Sequence, residues 1–415
     1  MDRKRIREWR ANQSKLESAS CKRKRLAGAG RKPFDLDIEE VLLEWVHERR
    51  SNGFRVSKKM IRSKARFLNI HGKHWVGAEV HDKTWVMHTA QDNGIPKGSR
   101  KLIDKLIAYV LQARRLRVKF SYSDSDIIAM DETAVWQDML SNTTVDSIGL
   151  NTIAMKTTGH EKTKVSVCLT AKADGTKLKP FIVFPGAKRE TKLLNEEFKA
   201  KCVVASSSNG WMNEELTLDW VRSVLGKFSF TRRILAWDSF KCHVMDTVKQ
   251  ELRTSKIDPL IVLGGCTKYI QAPDVVWNKP YKANVTEKYD EWMAGEAHSF
   301  TAAGNMRAPA RREIVKWILA AWDGLDKTMI INSFKSYALT VAVDGSDDGH
   351  IHCFKENQPC RAGLQRLKVV QQAMSNSRDK DPFDGITESD VEDAAPDSLI
   401  IGVSDTEVID IEYGR

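Results

Sequence analysis

No uncharged apolar run in this 415-residue chain is long enough to span a membrane, and the opening Met1-Asp2-Arg3-Lys4-Arg5 carries no signal-peptide pattern. The chain reads as intracellular, with no membrane partner. A disulfide framework is missing as well. The seven cysteines (Cys21, Cys168, Cys202, Cys242, Cys266, Cys353 and Cys360) are odd in number and scattered, which suits buried thiols in a reducing compartment. There is no internal repeat and no G-x-x-x-x-G-K-[ST] phosphate loop. His350, His352, Cys353 and Cys360 stand close together, but their spacing matches no standard zinc pattern. Cys242 has no neighbour that would make it a nucleophile.

What is present is ordinary in amount and uneven in placement. The chain is 41% hydrophobic and 29% charged with 12 Trp, enough for two or three domains with normal cores. Its net charge of +11 is polarised. Residues 1–120 hold about 30 Lys/Arg against about 13 Asp/Glu, roughly +17, whereas residues 371–415 come to roughly −9. A basic head on a nearly neutral body suggests a nucleic-acid-binding module joined to something else.

Taken in order, residues 2–18 read as one basic helix with a thin apolar stripe (Ile6, Trp9, Leu16), and 21–33 as a basic linker. Lys22 to Arg25 would serve as a nuclear import signal or a phosphate patch, and Arg31-Lys32 could enter a minor groove. A helical module follows. Leu36, Ile38, Val41, Leu42, Trp45 and Val46 form the apolar face of one helix ending near Ser51-Asn52-Gly53. Ser57 caps a second, with Met60, Ile61, Ala65 and Leu68 inward, and a third lies near 82–92. Three short helices rich in Lys and Arg suggest a DNA-binding trihelical unit, although the third is poor in basic residues. Residues 100–119 connect this module to the rest.

From Asp126 the period becomes that of strands. Strands are expected at 127–130, 163–171, 179–184, 233–237 and 259–263, with a hairpin turn at Asp174-Gly175. Helices are expected at 214–227, 244–252, 274–292, 311–322 and 328–334. Three antiparallel-type strands followed by alternating helices and strands imply a mixed α/β sheet. Beyond about Gln371 the chain turns acidic and loses periodicity, which reads as a disordered tail.

Three acids stand out by position. Asp131 follows the apolar run Ile127–Met130 and is expected to end the first strand. Asp238 ends another strand, and Asp274 opens the long helix. Carboxylates delivered to adjacent strand ends and a facing helix start would converge in an acidic cup. Like charges that close repel unless hard divalent cations neutralise them, and such oxygen-rich sites suit Mg²⁺ or Mn²⁺, two ions in the usual arrangement. Glu132 would support Asp131 from behind. His243, five residues after Asp238, reads as a structural or capping histidine, with a proton shuttle as the alternative.

These residues also resemble a known family. Met130-Asp131-Glu132-Thr133-Ala134-Val135-Trp136, Lys156-Thr157-Thr158-Gly159-His160, Trp237-Asp238-Ser239-Phe240-Lys241-Cys242-His243 and Pro273-Asp274-Val275-Val276-Trp277-Asn278-Lys279-Pro280 occur in the order found in the pogo/Tigger branch of DDE transposases, within the Tc1/mariner superfamily, and in host proteins derived from them. The resemblance covers roughly residues 1–370. It implies an α/β RNase H-like catalytic domain with an N-terminal all-α helix-turn-helix region. Asp131, Asp238 and Asp274 would form the catalytic, metal-holding triad.

The domains implied are 1–34, the end of a Brinker-type helix-turn-helix with a basic linker; 35–99, a centromere-protein-B-type one; 100–370, the catalytic domain; and 371–415, the acidic tail. The leading helices of the first module are missing from the sequence as it stands. Double-stranded DNA, with terminal inverted repeats as the target class, would be the partner, bound by a homodimer in the nucleus. The residues expected to meet DNA are Arg3, Lys4, Arg5, Arg7, Arg10, Lys22, Arg23, Lys24, Arg25, Arg31, Lys32, Lys58, Lys59 and Arg62. A transposase cuts and joins DNA; a domesticated derivative would bind DNA as a regulator without cutting it.

Overall fold

A computed structural model describes residues 36–69, 99–139 and 157–376, apart from 187, 227–228, 296–297, 303 and 305. The expected helices at 2–18 and 82–92, the basic linker and most of the acidic tail lie outside the described residues. The chain divides into two compact units; the first holds the helices of residues 36–69, and the second holds 99–139 and 157–376.

In the first unit, α1 (Leu36–Ser51) and α2 (Lys58–Asn69) form a helical pair. Gly53, with φ of +78°, ends α1 as the sequence predicts, and Ser57 accepts a hydrogen bond from the Met60 N–H at 3.2 Å to start α2. The inward stripe of α1 is rotated from the expected one. Val41 is 44% exposed, while Arg49 is buried with its guanidinium over the rings of Trp45 and Phe54, 5.4 and 5.0 Å from their centroids. Residues 42, 45 and 49 form the more buried face at i, i+3, i+7 spacing, and Val41 lies at its exposed margin.

The second unit begins with α3 (Ser99–Phe120) and is built on one six-stranded sheet. Its strands are β1 (Ile127–Trp136), β2 (Lys164–Lys172), β3 (Phe181–Pro185), β4 (Val203–Ser207), β5 (Arg233–Asp238) and β6 (Ile257–Val262), in the order β4-β3-β2-β1-β5-β6. β1, β2 and β3 form an antiparallel meander; β5 runs parallel to β1, and β6 parallel to β5. A three-strand meander whose first strand continues into two parallel strands is the RNase H-like arrangement, here with β4 added parallel to β3 at the edge.

The sheet takes its strands from near-continuous apolar runs because both of its faces are covered. On one face Ile128, Met130, Phe181, Val183, Leu235 and Trp237 pack against α4 (Glu214–Trp220), its continuation Val221–Leu225, and α5 (Asp246–Thr254). The segment Lys188–Phe198, a helix the sequence does not announce, precedes β4, which is equally unforeseen. The Asp174-Gly175 turn is as expected. Gly175 sits at φ of +83°, and Asp174 Oδ1 accepts from the Thr176 N–H at 2.8 Å.

Beyond β6, the residues expected to make one helix from Asp274 divide into a wide, π-type turn, Pro273–Trp277, and α6 (Asn278–Ala294). Trp277 pins this turn. It is fully buried, donates from Nε1 to Ser333 Oγ at 3.0 Å, and packs against Trp322 of α7 (Arg311–Asp323) and Phe334 of α8 (Lys327–Ser336). A final helix, Ala362–Asn376, crosses the boundary expected at residue 371. No helix among the described residues is long and apolar enough to cross a membrane.

Lys177 ties the meander to α7. Its ammonium donates to the carbonyls of Trp322 and Asp323, each at 2.8 Å, and of Leu325 at 2.5 Å, at and just past the end of that helix. Charged hydrogen bonds of this kind contribute about 2 kcal/mol, so Lys177→Met is expected to cost about that much in urea unfolding. A cost near zero would mean that water replaces the ammonium without loss.

Candidate active site

The acid expected to end β1 does not end it. β1 stays paired with β2 through Asp131↔Leu169 and on to Trp136↔Lys164. What stops is the other ladder: β1 and β5 are paired only at 127↔234, 128↔235 and 129↔236. Two residues beyond the last of these pairs come Asp131 on β1 and Asp238, the last residue of β5. Both acids therefore sit where one edge of β1 loses its neighbour, and this reproduces on one side what a strand end would have given on both.

Asp131 is 8% exposed and held by two carboxamides. Gln271 Nε2 donates to its Oδ1 at 2.9 Å, and Asn278 Nδ2 donates to its Oδ2 at 2.7 Å. Asn278 Nδ2 also lies 3.5 Å from Asp274 Oδ1. The wide turn places Asp274 and Asn278 four residues apart on the side facing Asp131. Burial, followed by the charges of Asp238 and then Asp274, pushes the Asp131 carboxyl well above the usual range, against the pull of the Asn278 amide. Asp131 thus feels the charge of both other predicted acids.

Asp238 is placed differently. Burial alone would raise its carboxyl, but the hydrogen bond and charge of His243 and the N–H of Phe240 hold it below the ordinary value. His243 Nδ1 lies 2.7 Å from Asp238 Oδ1, and Nε2 lies 3.3 Å from Glu132 Oε1. The ring is 2% exposed and stacks on Trp237 with centroids 4.2 Å apart and planes within 5°. Burial disfavours the charged imidazole, but the hydrogen bond to Asp238 and the nearby charges of Asp238 and Glu132 outweigh it and lift the pKa to about 10. Glu132 therefore does not support Asp131, as expected from the sequence. Successive residues of a strand point to opposite faces, so Glu132 reaches His243 and acts on Asp238.

Sequence reasoning gave no role to Gln271 or Asn278. The available signal was spacing: Asn278 follows Asp274 by one helical turn, and Gln271 precedes it by three residues. Both side chains carry a buried oxygen with no hydrogen-bond partner, Gln271 Oε1 and Asn278 Oδ1. No three His, Cys, Asp or Glu side chains among the described residues could hold a metal ion as they stand, and that includes the set around His352 and Cys353. The acids alone therefore do not form a complete ligand set as they stand. With the two orphaned carboxamide oxygens the donor set is all hard oxygen, and it fits a hard divalent cation.

Two family models match the chain. "DDE superfamily endonuclease" covers residues 162–334, which include Asp238 and Asp274, and "Tc5 transposase DNA-binding domain" covers 35–97. A mouse protein described as "Pogo transposable element with KRAB domain" is 26% identical over 367 residues, and its human counterpart 26% identical over 361. The chain thus carries a DDE endonuclease-type domain and a Tc5-type DNA-binding domain, and it is similar to pogo transposable element proteins. Each of those two alignments takes in 83% of this chain but 58% of the relative, so the chain spans little more than half the length of the curated proteins it matches.

Among solved structures, the Mos1 strand transfer complex aligns over 84% of this chain and 86% of its own, at 11% identity and a TM-score of 0.35. The catalytic domain of Mos1 mariner transposase aligns over 64% and 94%, at 10% identity and a TM-score of 0.30.

Of the residues expected to meet DNA, Arg62 is exposed on α2, and Lys58 and Lys59 belong to the same helix. All three fall within the Tc5-type match. Arg3, Lys4, Arg5, Arg7, Arg10, Lys22, Arg23, Lys24, Arg25, Arg31 and Lys32 lie outside the described residues.

Proposed function

We propose that this chain binds double-stranded DNA through its basic N-terminal region and cleaves and rejoins it at Asp131, Asp238 and Asp274. The observation that carries this reading is the state of Asp131, a buried carboxyl raised by two further acids and bracketed by amides. A carboxyl perturbed by burial and by neighbouring acids in this way is the kind of group found at sites of chemistry.

Mg²⁺ or Mn²⁺ held by the three acids, two ions in the full site, would supply Lewis-acid charge for in-line attack at phosphorus by water or a 3′-hydroxyl. The chain's own contribution is placement. β1 and β5 present Asp131 and Asp238 from the rigid sheet, Trp277 fixes the turn carrying Asp274, and the His243 clamp keeps Asp238 ionised. Terminal inverted repeats are the DNA class this reading calls for, with a homodimer acting in the nucleus.

A second reading, a host-derived regulator that binds DNA without cutting it, has one observation on its side. Asp131 is occupied by Gln271 and Asn278, and Asp238 by His243, so the acids do not form a ready set of three ligands.

The test is a supercoiled plasmid carrying candidate inverted repeats, incubated with the full chain and Mg²⁺ or Mn²⁺. Nicked and linear products that vanish with EDTA are expected. DNA that is bound selectively but stays intact in both metals would overturn the enzymatic reading in favour of the regulator.

A further inference from the structure

The Gln271–Asn278 bracket around Asp131 has one feature that a purely structural role leaves unexplained. A carboxamide bears donors on one side and an acceptor on the other, and a buried one is normally satisfied on both. Here both nitrogens are used on Asp131, and both oxygens are buried without a partner. Gln271 is 2% exposed and Asn278 7%.

The oxygen and nitrogen of one carboxamide share a carbon and lie about 2.3 Å apart by their bond lengths, so each orphaned oxygen is necessarily close to the Asp131 carboxylate. Three buried side chains there carry acceptors (Asp131 and the two amide oxygens), the exposed Asp274 adds another beside Asn278, and the hydrogen bonds among them are donated by the amide nitrogens. Such a surplus of buried oxygen is what a hard cation satisfies, and neutral amide oxygens are ordinary ligands for one.

We propose that Asn278 and Gln271 are ligands of the divalent-cation site, their carboxamide oxygens supplying the donors that Asp131, Asp238 and Asp274 lack as a set. The proposal rests on the reading of those acids as a cation site. It gives the bracket two states. In the cation-free protein the amide nitrogens hold Asp131 in place. Rotation of the terminal amide exchanges nitrogen for oxygen, which turns the same two side chains from donors to the carboxylate into ligands beside it. Asn278, within reach of both Asp131 and Asp274, is the residue through which the two acids would be drawn to one ion.

The experiment is Mn²⁺ titration of the full chain, read by electron paramagnetic resonance of free Mn²⁺, with thermal melting in EDTA as a check on folding. Asn278→Leu is expected to weaken Mn²⁺ binding about tenfold or more. Asn278→Asp keeps the oxygens and loses the donors, and is expected to bind at least as tightly as the wild type while melting lower in EDTA.

Mn²⁺ binding by Asn278→Leu equal to the wild type would overturn the proposal, as would an Asn278→Asp variant as weak as Asn278→Leu, since the nitrogens alone would then matter. If Asn278→Leu fails to fold, the same comparison is made with Gln271→Glu against Gln271→Leu. Asp131→Asn separates the two levels: wild-type affinity in that variant, or no binding by the wild type, sinks the cation site itself rather than the role of the carboxamides.

Discussion

Asp131→Asn is expected to cut no DNA and yet to melt at a higher temperature than the wild type when divalent cations are absent. The loss of cleavage should reach about three orders of magnitude, because a charged oxygen at the reacting centre is replaced by a neutral amide. The gain in stability follows from the sign of the pKa shift. The folded protein holds the Asp131 carboxyl well above its ordinary value through burial and through Asp238 and Asp274, so the ionised form is disfavoured in the fold. Such a group destabilises the native state progressively as pH rises above its unfolded value and through its folded one. A neutral side chain removes that penalty.

The extra amide at position 131 finds an acceptor at hand, because the Gln271 or Asn278 carboxamide can turn its unpartnered oxygen toward it. Each kcal/mol recovered is worth about 2–4 °C in a unit of this size. A melting temperature in EDTA below that of the wild type, compared at pH 7 to 8, would show that Asp131 is not electrostatically strained in the fold.

Replacement of His243 has the opposite consequence. His243→Leu leaves Asp238 and Glu132 facing each other with no cation between them, and breaking a buried ion pair by removing one partner costs about 3–5 kcal/mol. The pH dependence distinguishes this from a simple packing defect. The imidazole pKa is raised from 6.5 in the unfolded chain to about 10 in the fold, so its contribution is complete below about pH 6.5 and fades as pH rises through about 10.

Urea unfolding at pH 6, 8 and 10 should therefore find the wild type and His243→Leu far apart at the lowest value and converging at the highest. The double variant Glu132→Gln/His243→Leu should recover part of the loss at pH 6 to 8, because only one unpaired acid remains. A difference that stays constant with pH would reduce His243 to a packing residue on Trp237.

Much of the second unit is legible from residue patterning, and the places where it is not have identifiable causes. The run Ile127–Met130 announces a strand, but a strand covered on both faces loses its alternation, so nothing in the sequence shows that it continues to Trp136. The helix Lys188–Phe198 buries only Thr191 and Leu194 and leaves Leu193 exposed, which is too thin a stripe to announce itself. β4 covers five residues at the sheet edge, and a segment that short leaves little periodicity to read. The wide turn at Pro273–Trp277 keeps a helix-like composition, so the sequence reads as one continuous helix where the structure makes a bend that sets Asp274 and Asn278 toward β1.

The three acids were visible because they punctuate apolar runs. Their partners were not. Gln271 and Asn278 are unremarkable polar residues until the turn brings them to Asp131, and Glu132, expected beside Asp131, meets His243 instead.

The one-sided pairing of β1 bears on how this site could change over time. β1 and β5 begin as neighbours and part after Ala129 and Ala236, while β2 goes on holding β1 in line through Trp136. The gap between Asp131 and Asp238 is therefore a fork in the sheet, with its opening set by backbone ladders on either side. Insertions or deletions in the surrounding loops can alter what is carried to the fork without resetting its width. To change the width, a mutation would have to shift a strand register, and that would turn every side chain of the strand to the opposite face.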